Sequence, residues 1–587
     1  MALDLLIRGG TIIDGTGGAP LRGDVGVRDG KIVAIGEVNE SAARTLDAEG
    51  AVVAPGFVDL HCHYDGQVSW DADLLPSSNH GVTTVVSGNC GVGFAPVRPT
   101  DRDALVKLME GVEDIPGAAL AEGVTWDWES FGEYMSALDA RPHTIDFAMQ
   151  IPHDAVRVYV MGQRGIDSQP ATDDDIAKMR AVVRAGLEAG AIGFSTGRSD
   201  NHRSATGAET PAYEATAAEL AGIAAAFKGL KHGVLQAVSD FDMAKSEERF
   251  DPEFDVLEAM ARAADGHPLS ISTMQRDMAP MQWQRILDRI AKADAAGIPM
   301  RAQVGVRAIG VLIGFEATFH PFIGFPSYKA IAHLPLEERV ARMRDPEFKR
   351  RILAEKSEPL AGDGSAIPPL VDQLLGRLDL VAMRLFRLGE RPDYEPSMDA
   401  SLYAEAHAKG IPSLEAVYDA LLADGGHELL YFPLYNYTEM SLDNVRTMMD
   451  HPQALLGLSD GGAHVGTVCD ASYSTFFLAH WARDRKARKL PLERAVRMLT
   501  GAPASYLGMR DRGTIELGKR ADLNVFDLDK LAVERPRLVH DLPAGGKRLL
   551  QDARGYRATL VRGEIVRDEK GLTGARPGRV FRGGITA

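Results

Sequence analysis

Two histidines spaced two residues apart end an apolar run near the N-terminus. The segment PGFVDLHCHYD carries His61 and His63. On an extended strand, residues at this spacing point to the same face, so both imidazoles can hold one metal ion while Cys62 points to the opposite face. A lone histidine beside an apolar run is usually structural. Two at this spacing, preceded by Pro-Gly, predict a pair of metal ligands.

Three further side chains follow apolar runs elsewhere in the chain. Cys90 lies in SGNCG, where it is either a thiolate ligand to the same metal or a buried thiol beneath a Gly-rich turn. Asp460 lies in GLSDGGAH, directly after an apolar run, where a carboxylate is costly to bury unless it is paired or bound to metal. We predict that Asp460 ligates the metal weakly and acts as general base toward the attacking water. His464 either hydrogen-bonds the substrate or leaving group, or is a satisfied loop histidine.

Other polar residues follow strand-like runs and are candidate substrate contacts. His153 in QIPHD and His202 in GRSDNHRSATG offer either a replacement metal ligand or a substrate contact, or else are loop histidines without a metal role. Arginine presents a fork of N–H donors that suits a carboxylate. Together the arginines after three of the runs favour an amide substrate that bears a carboxylate. They are Arg198, Arg276 and Arg307.

The elements that must position these residues alternate between strand and helix. Helix-like stretches such as DDDIAKMRAVVRAGLEAG separate short apolar runs, and eight such units predict a closed (β/α)8 TIM barrel with its site at the C-terminal strand ends. The predicted strands are 57–63, 83–91, 144–153, 191–198, 233–241, 268–275, 299–307 and 454–464.

The remaining chain is predicted to form an insertion and a second domain. Residues 308–453 are too many for a simple crossover, so we expect an insertion before the last strand that caps the barrel mouth. Runs of alternating apolar and polar residues with Gly turns occur near both ends of the chain. We therefore predict one small β-sandwich domain built from residues 1–56 and 505–587, flanking a barrel over 57–504.

Composition restricts the kind of protein and its partners. With 82 acidic and 65 basic residues the formal net charge is −17, which disfavours nucleic acid and anionic membranes as partners. Only three cysteines occur, and no run approaches the roughly 18 apolar residues of a membrane span. We expect a cytoplasmic protein that acts on a small molecule and that could form a homo-oligomer through its β-domain.

Several of these segments together resemble a known family. PGFVDLHCH, SGNCG, GAIGFSTG, SDGGAH and RGTIELGKRADLNVFD are similar to the amidohydrolase superfamily and, within it, to the N-acyl-D-amino-acid deacylase (D-aminoacylase) group. The resemblance spans nearly the whole chain. It implies a zinc-dependent amide hydrolase, with His61 and His63 as ligands, Cys90 as the metal-bridging cysteine and Asp460 as the general base.

The chain departs from the deacylase pattern at two strand ends. The deacylases place further zinc-ligand histidines after strands five and six, whereas here GVLQAVSDF has Gln236 and LSISTMQ has Thr273. Gln and Thr are poor zinc ligands, so we expect one zinc ion per chain rather than two, and Gln236 becomes a candidate substrate contact. Two alternatives stay open: hydrolysis of a cyclic amide, lactone or carbamate, or a metal-free barrel that binds a small molecule.

Overall fold

Eight parallel strands form the central sheet of the computed structural model, which describes residues 2–243, 245–360 and 369–584. The strands pair in chain order from the first to the eighth, so each predicted barrel strand is confirmed. Barrel strands one to eight are Phe57–Asp59, Val82–Ser87, Asp146–Pro152, Gly193–Arg198, Val234–Ser239, Leu269–Thr273, Met300–Val304 and Ala454–Leu456.

Backbone hydrogen bonds join the two edges of this sheet just beyond strands one and eight. The N–H of His63 donates to the carbonyl of Gly461 at 2.7 Å, and the N–H of Asp460 donates to the carbonyl of His61 at 3.2 Å. The first and last strands therefore meet at their C-terminal ends, as in a TIM barrel. The same hydrogen bonds bring the two predicted histidine ligands beside Asp460.

The barrel strands are short apolar runs because helices cover their outer faces and side chains fill the interior. Every residue of VTTVVS in strand two and of LSIST in strand six is buried, as expected for a parallel sheet. The Asp173–Glu188 helix begins with a capping box between Thr172 and Asp175, which satisfies the first free N–H groups. The other principal outer helices are Arg102–Glu113, Phe131–Asp139, Ala217–Ala224, Phe250–Ala263, Gln282–Ala295, Asp443–Asp450 and Leu492–Leu499.

Strands from both ends of the chain form a second sheet of nine strands, as predicted. Its central pairing is antiparallel, between Val52–Pro55 and Leu523–Phe526. Alternating apolar residues from both termini fill one core on this sheet. The other strands are Leu3–Ile12, Leu21–Arg28, Lys31–Gly36, Ala42–Asp47, Tyr556–Val561, Glu564–Asp568 and Gly571–Leu572. The exact domain limits 1–56 and 505–587 stay predictions.

A buried ion-pair cluster ties the barrel to the C-terminal segment. Asp146, at the start of barrel strand three, accepts a hydrogen bond from Arg512 at 2.8 Å and pairs closely with Arg520. Asp146 and Arg512 are almost completely buried. Their mutual attraction offsets the cost of removing each charge from water.

The segment between barrel strands seven and eight has its own sheet and apolar core. Strands Ile309–Ile313, Phe386–Arg387 and Leu430–Tyr435 form a three-stranded antiparallel sheet. Asn436 exchanges hydrogen bonds with the backbone of Gln275, just after barrel strand six. The insertion thus meets the C-terminal end of the barrel at Gln275, and its capping of the barrel mouth stays a prediction. Its principal helices are Leu336–Met343, Pro346–Ala354, Leu402–Lys409 and Ser413–Leu421.

No helix in the described ranges has the length and apolar character that a membrane span requires.

Candidate active site

The two histidines after barrel strand one meet the Gly-rich turn after strand two. Nε2 of His61 lies 3.3 Å from Sγ of Cys90, and ligand atoms of His61, His63 and Cys90 all lie within 4.8 Å of one another. Burial lowers the pKa of His61 to about 4 and that of His63 well below its usual value. Both imidazoles are therefore neutral at pH 7, the form that binds a metal.

Cys90 is aimed at His61 by an unusual backbone conformation. It has a φ of +55°, and the next residue, Gly91, has a φ of +83°. A Cβ at Gly91 would lie only 2.7 Å from the backbone nitrogen of Gly197, which follows from the close packing of this turn against barrel strand four. The Gly-rich sequence is therefore needed for the turn to approach the neighbouring strand and present the thiol.

The loop after barrel strand eight contributes Asp460 and His464, also in left-handed conformations. Their φ angles are +49° and +47°, and such strained residues cluster at functional sites. Oδ1 of Asp460 lies 3.4 Å from Nε2 of His61 and 3.8 Å from Nε2 of His63. Burial raises the pKa of Asp460 to about 6, although the nearby His464 opposes the shift. The carboxylate thus faces the same point as both imidazoles, and its side chain is 14% exposed.

Glu113, the last residue of the Arg102–Glu113 helix, is a site residue that the sequence analysis missed. Its Oε1 lies 3.1 Å from Nδ1 of His63, and its Oε2 lies 3.8 Å from Nε2 of His464. Its backbone carbonyl also accepts a hydrogen bond from the N–H of His464. Burial and the neighbouring Asp460 and Asp65 raise the pKa of Glu113 well above its usual value. Nothing in LVKLMEGVED distinguishes this glutamate from a solvated helix residue.

Gln303 in barrel strand seven was also missed. Its Oε1 lies 2.6 Å from Nδ1 of His61, inside the barrel. The strand MRAQV also carries Arg301, so the only signal in the sequence is a single amide that the strand buries. Such a residue must find partners on neighbouring strands.

Gln236 and Thr273, the residues at the two positions that depart from the deacylase pattern, hydrogen-bond to other groups of the protein. Gln236 accepts a hydrogen bond from the N–H of Cys90 at 2.8 Å and donates to Ser272. Thr273 donates to the carbonyl of Ile271. The amide of Gln236 is engaged at both ends inside the barrel, so the structure does not place it as a substrate contact.

The two candidate histidines that follow strands three and four, His153 and His202, differ in their hydrogen bonding. His153 uses both ring nitrogens, one with Thr196 and one with Glu219, and it is fully buried. It therefore has no free nitrogen for metal or substrate, and that prediction is corrected. His202 differs: its Nδ1 has no partner among the described residues, and it interacts electrostatically with His61.

The three candidate arginines are all buried and bonded. Arg198 donates to both oxygens of Glu253 and to a backbone carbonyl. Arg307 donates to Asp470. Neither Arg198 nor Arg307 therefore has a guanidinium free to bind a substrate carboxylate, because each already pairs with a carboxylate of the protein. Among the described residues, Arg276 donates hydrogen bonds to the side chain of Gln282 and to the backbone carbonyl of Ser239, both neutral.

Similarity to known proteins agrees with this arrangement. The model of the amidohydrolase family matches residues 44–567. D-aminoacylase from Alcaligenes xylosoxydans xylosoxydans is 28% identical over 582 residues, covering 98% of this chain and 97% of the relative. N-acyl-D-glutamate deacylase from the same organism is 28% identical over 587 residues, with 99% and 96% covered.

Two solved structures extend the comparison. A D-aminoacylase structure superposes with a TM-score of 0.64 at 24% identity, covering 99% of this chain and 100% of the other, which supports the fold. N-acyl-D-glutamate deacylase from Bordetella bronchiseptica has a TM-score of 0.63 at 26% identity with the same coverage. That enzyme was crystallised with zinc and a phosphonate mimic of the tetrahedral intermediate. This chain therefore belongs to the amidohydrolase family, as a divergent member of its D-aminoacylase group.

Proposed function

We propose that this enzyme hydrolyses the amide bond of an N-acyl amino acid, with the D-configured amino acid preferred. One zinc ion per chain is held by His61, His63 and Cys90, and Asp460 is the general base. The observation that carries the proposal is the convergence of these four side chains from barrel strands one, two and eight on one point. The named activities of the D-aminoacylase and N-acyl-D-glutamate deacylase relatives support the substrate class.

The donor set fits a zinc ion. Zinc bonds to histidine nitrogen at about 2.0 Å and to cysteine sulfur at about 2.3 Å, so tetrahedral ligands lie roughly 3.3–3.7 Å apart. The separation of 3.3 Å between Nε2 of His61 and Sγ of Cys90 falls in that range. Two neutral imidazoles and a cysteine sulfur, which binds as the thiolate, are the donors that zinc prefers. In addition, Glu113 Oε2 is buried without a hydrogen-bond partner among the described residues, as expected beside a site that a cation completes.

The chain's own residues then have distinct roles. A bound zinc ion lowers the pKa of water and polarises a carbonyl. Asp460 Oδ1 lies close to Nε2 of both histidines, where it accepts the proton of the attacking water and returns it to the leaving nitrogen. We assign His464, His202 and Arg276 to substrate contacts, since each lies in a loop at the barrel mouth.

The experiment combines metal analysis with a substrate panel. Purified full-length protein is analysed for zinc, iron, manganese and nickel, beside a His61→Ala, His63→Ala double variant. Matched N-acyl D- and L-amino acids, lactones and cyclic imides are then offered. We expect about one metal ion per chain, lost in the double variant, and release of free amino acid from D-substrates. Release from no acyl substrate would refute the deacylase proposal, and turnover of a lactone or cyclic imide alone would replace it.

We further propose a cytoplasmic location and a homo-oligomer. All three cysteines are free and buried, which supports a reducing compartment. Size-exclusion chromatography with light scattering tests the oligomeric state, and a single 63.3 kDa species would exclude an oligomer.

A further inference from the structure

Two buried glutamines contact the predicted ligands from inside the barrel. Gln303 on strand seven faces the ring of His61, and Gln236 on strand five faces the backbone of Cys90. Both are almost completely excluded from solvent. A buried amide that meets a metal ligand is able to fix that ligand's orientation.

Both amides are anchored on the strand between them. Gln303 Nε2 donates to Ser270 Oγ at 2.9 Å, and Gln236 Nε2 donates to Ser272 Oγ at 3.3 Å. The two serines are two residues apart on barrel strand six, so they share its inward face. Strand six thereby holds both glutamines with their amide oxygens turned toward the metal ligands.

The hydrogen-bond directions determine which nitrogen of His61 carries its proton. The Ser270 hydroxyl donates to the carbonyl of Leu235 at 3.3 Å, so toward Gln303 it acts as acceptor. The amide nitrogen of Gln303 therefore points at Ser270 and its oxygen at His61. Because an amide oxygen only accepts, Nδ1 of His61 must be the protonated nitrogen. In the neutral ring the lone pair then lies on Nε2, which faces Cys90 and Asp460.

Gln236 acts on the other ligand through the backbone. Its Oε1 accepts the N–H of Cys90, whose backbone lies in the left-handed region that is strained for a non-glycine residue. A fixed acceptor for this N–H favours the strained turn over relaxed alternatives. The Cys90 thiol is then held close to His61 in the metal-free protein.

We propose that Gln303 and Gln236 are positioning residues of the metal centre: Gln303 fixes the tautomer and ring plane of His61, and Gln236 fixes the turn that aims Cys90. The inference rests on the proposed function, since it requires both side chains to be ligands. Gln236, at a position where the related deacylases are expected to have a histidine ligand, then serves the metal indirectly.

The test is a titration of metal-free, full-length protein with Co²⁺ alone, followed by visible and ultraviolet absorption. The variants are Gln303→Leu, Gln303→Glu and Gln236→Leu. The matched control is Gln551→Leu, which removes another buried glutamine, bonded to Tyr394 and to the backbone of Glu534. The readouts are the dissociation constant and the intensity of the thiolate-to-cobalt absorption at saturation.

We expect Gln303→Leu to bind Co²⁺ about 10–100-fold more weakly, whereas Gln303→Glu, which keeps an acceptor for Nδ1, stays close to wild type. At saturation Gln303→Leu keeps the thiolate absorption, whereas Gln236→Leu loses intensity because Cys90 is no longer aimed. If the two glutamines had a purely structural role, the Gln303→Leu and Gln236→Leu variants would not differ in this way between Co²⁺ affinity and thiolate absorption. Folded Leu variants that bind Co²⁺ as the Gln551→Leu control does, with unchanged spectra, would overturn the inference.

A second variant covers the case in which Gln303→Leu does not fold. Ser270→Ala keeps the glutamine but removes the group that sets its amide orientation, so we expect severalfold weaker binding. Wild-type affinity in Ser270→Ala would count against the network. Failure of the wild-type protein to bind Co²⁺ would overturn the proposed function and this inference together, whereas normal wild-type binding with unaffected variants would overturn this inference alone.

Discussion

Replacing Asp146 by asparagine should strongly destabilise the protein. Asp146 is fully buried, lies 2.8 Å from Nη1 of Arg512, pairs with Arg520 and also accepts the N–H of Arg579. At an effective dielectric constant of about 20, one pair at 2.8 Å attracts by roughly 6 kcal/mol before desolvation is subtracted. Within the described ranges, Asp146→Asn would leave Arg512 and Arg520 with only Asp511 and Asp522 as carboxylate partners, and breaking a buried ion pair costs about 3–5 kcal/mol. We therefore expect Asp146→Asn to lower the free energy of unfolding by about that amount.

The pH dependence of this effect has a definite sign. The guanidinium groups of Arg512, Arg520 and Arg562 hold the pKa of Asp146 well below its usual value despite its burial. A depressed carboxyl pKa contributes stability above the unfolded-state pKa of about 3.9, and that stability is lost as the pH falls toward the folded-state pKa. The difference between wild type and Asp146→Asn should thus be constant from neutral pH to about pH 5 and shrink below about pH 4.

Urea unfolding followed by circular dichroism measures the effect. The control is Asp103→Asn, which breaks the exposed pair with Lys107, whose aspartate is 79% exposed. Exposed pairs contribute about 0–1 kcal/mol, so the control should unfold nearly as wild type does. If Asp146→Asn unfolded within about 0.5 kcal/mol of Asp103→Asn at pH 7, the assignment of this cluster as the tie between barrel and C-terminal segment would be wrong.

Three further changes test the site. Asp460→Asn should lower kcat by about 10²–10⁴ with metal content unchanged by elemental analysis, and retained turnover would remove Asp460 as base. Glu113→Gln should weaken zinc binding about tenfold in competition with a chromophoric chelator, because an amide can turn its NH2 group instead of an acceptor oxygen toward Nδ1 of His63; unchanged affinity would assign Glu113 a packing role. Gly91→Ala should lower the melting temperature and the metal content together, since the new Cβ is strained by φ and also meets the backbone of Gly197. Gly50→Ala, at a φ of +73° with open space around it, is the matched control and should show only a smaller loss of stability.

The sequence predicted the barrel because the pattern that makes it is local. Most barrel strands are short buried runs, and most are followed by a helix with its own apolar face, as with the run ending at Ser87 or at Thr273. The His61 and His63 pair was predictable for the same reason, since a spacing of two places both on one face of a strand.

The residues that were missed or misplaced depend on distant partners. Glu113 reaches the site only because the end of its helix packs beside the loop that carries His464. The predictions for Arg198 and Arg307 failed because their carboxylate partners are remote in sequence: Glu253 is 55 residues from Arg198, and Asp470 is 163 residues from Arg307. A sequence pattern shows that a charge lies near a strand end, but it does not show whether another segment has already neutralised that charge.

The pairing of Val52–Pro55 with Leu523–Phe526 has a consequence for how the chain folds during synthesis. The two strands that complete the terminal sheet are separated by the whole barrel and its insertion. On the ribosome the N-terminal strands are made first, and Val52–Pro55 cannot pair with Leu523–Phe526 until most of the chain has been translated. For that period Val52–Pro55 presents an unpaired apolar edge, which is a template for pairing between chains. Synthesis rate and chaperone supply, rather than the stability of the finished protein, should therefore limit the yield of this enzyme.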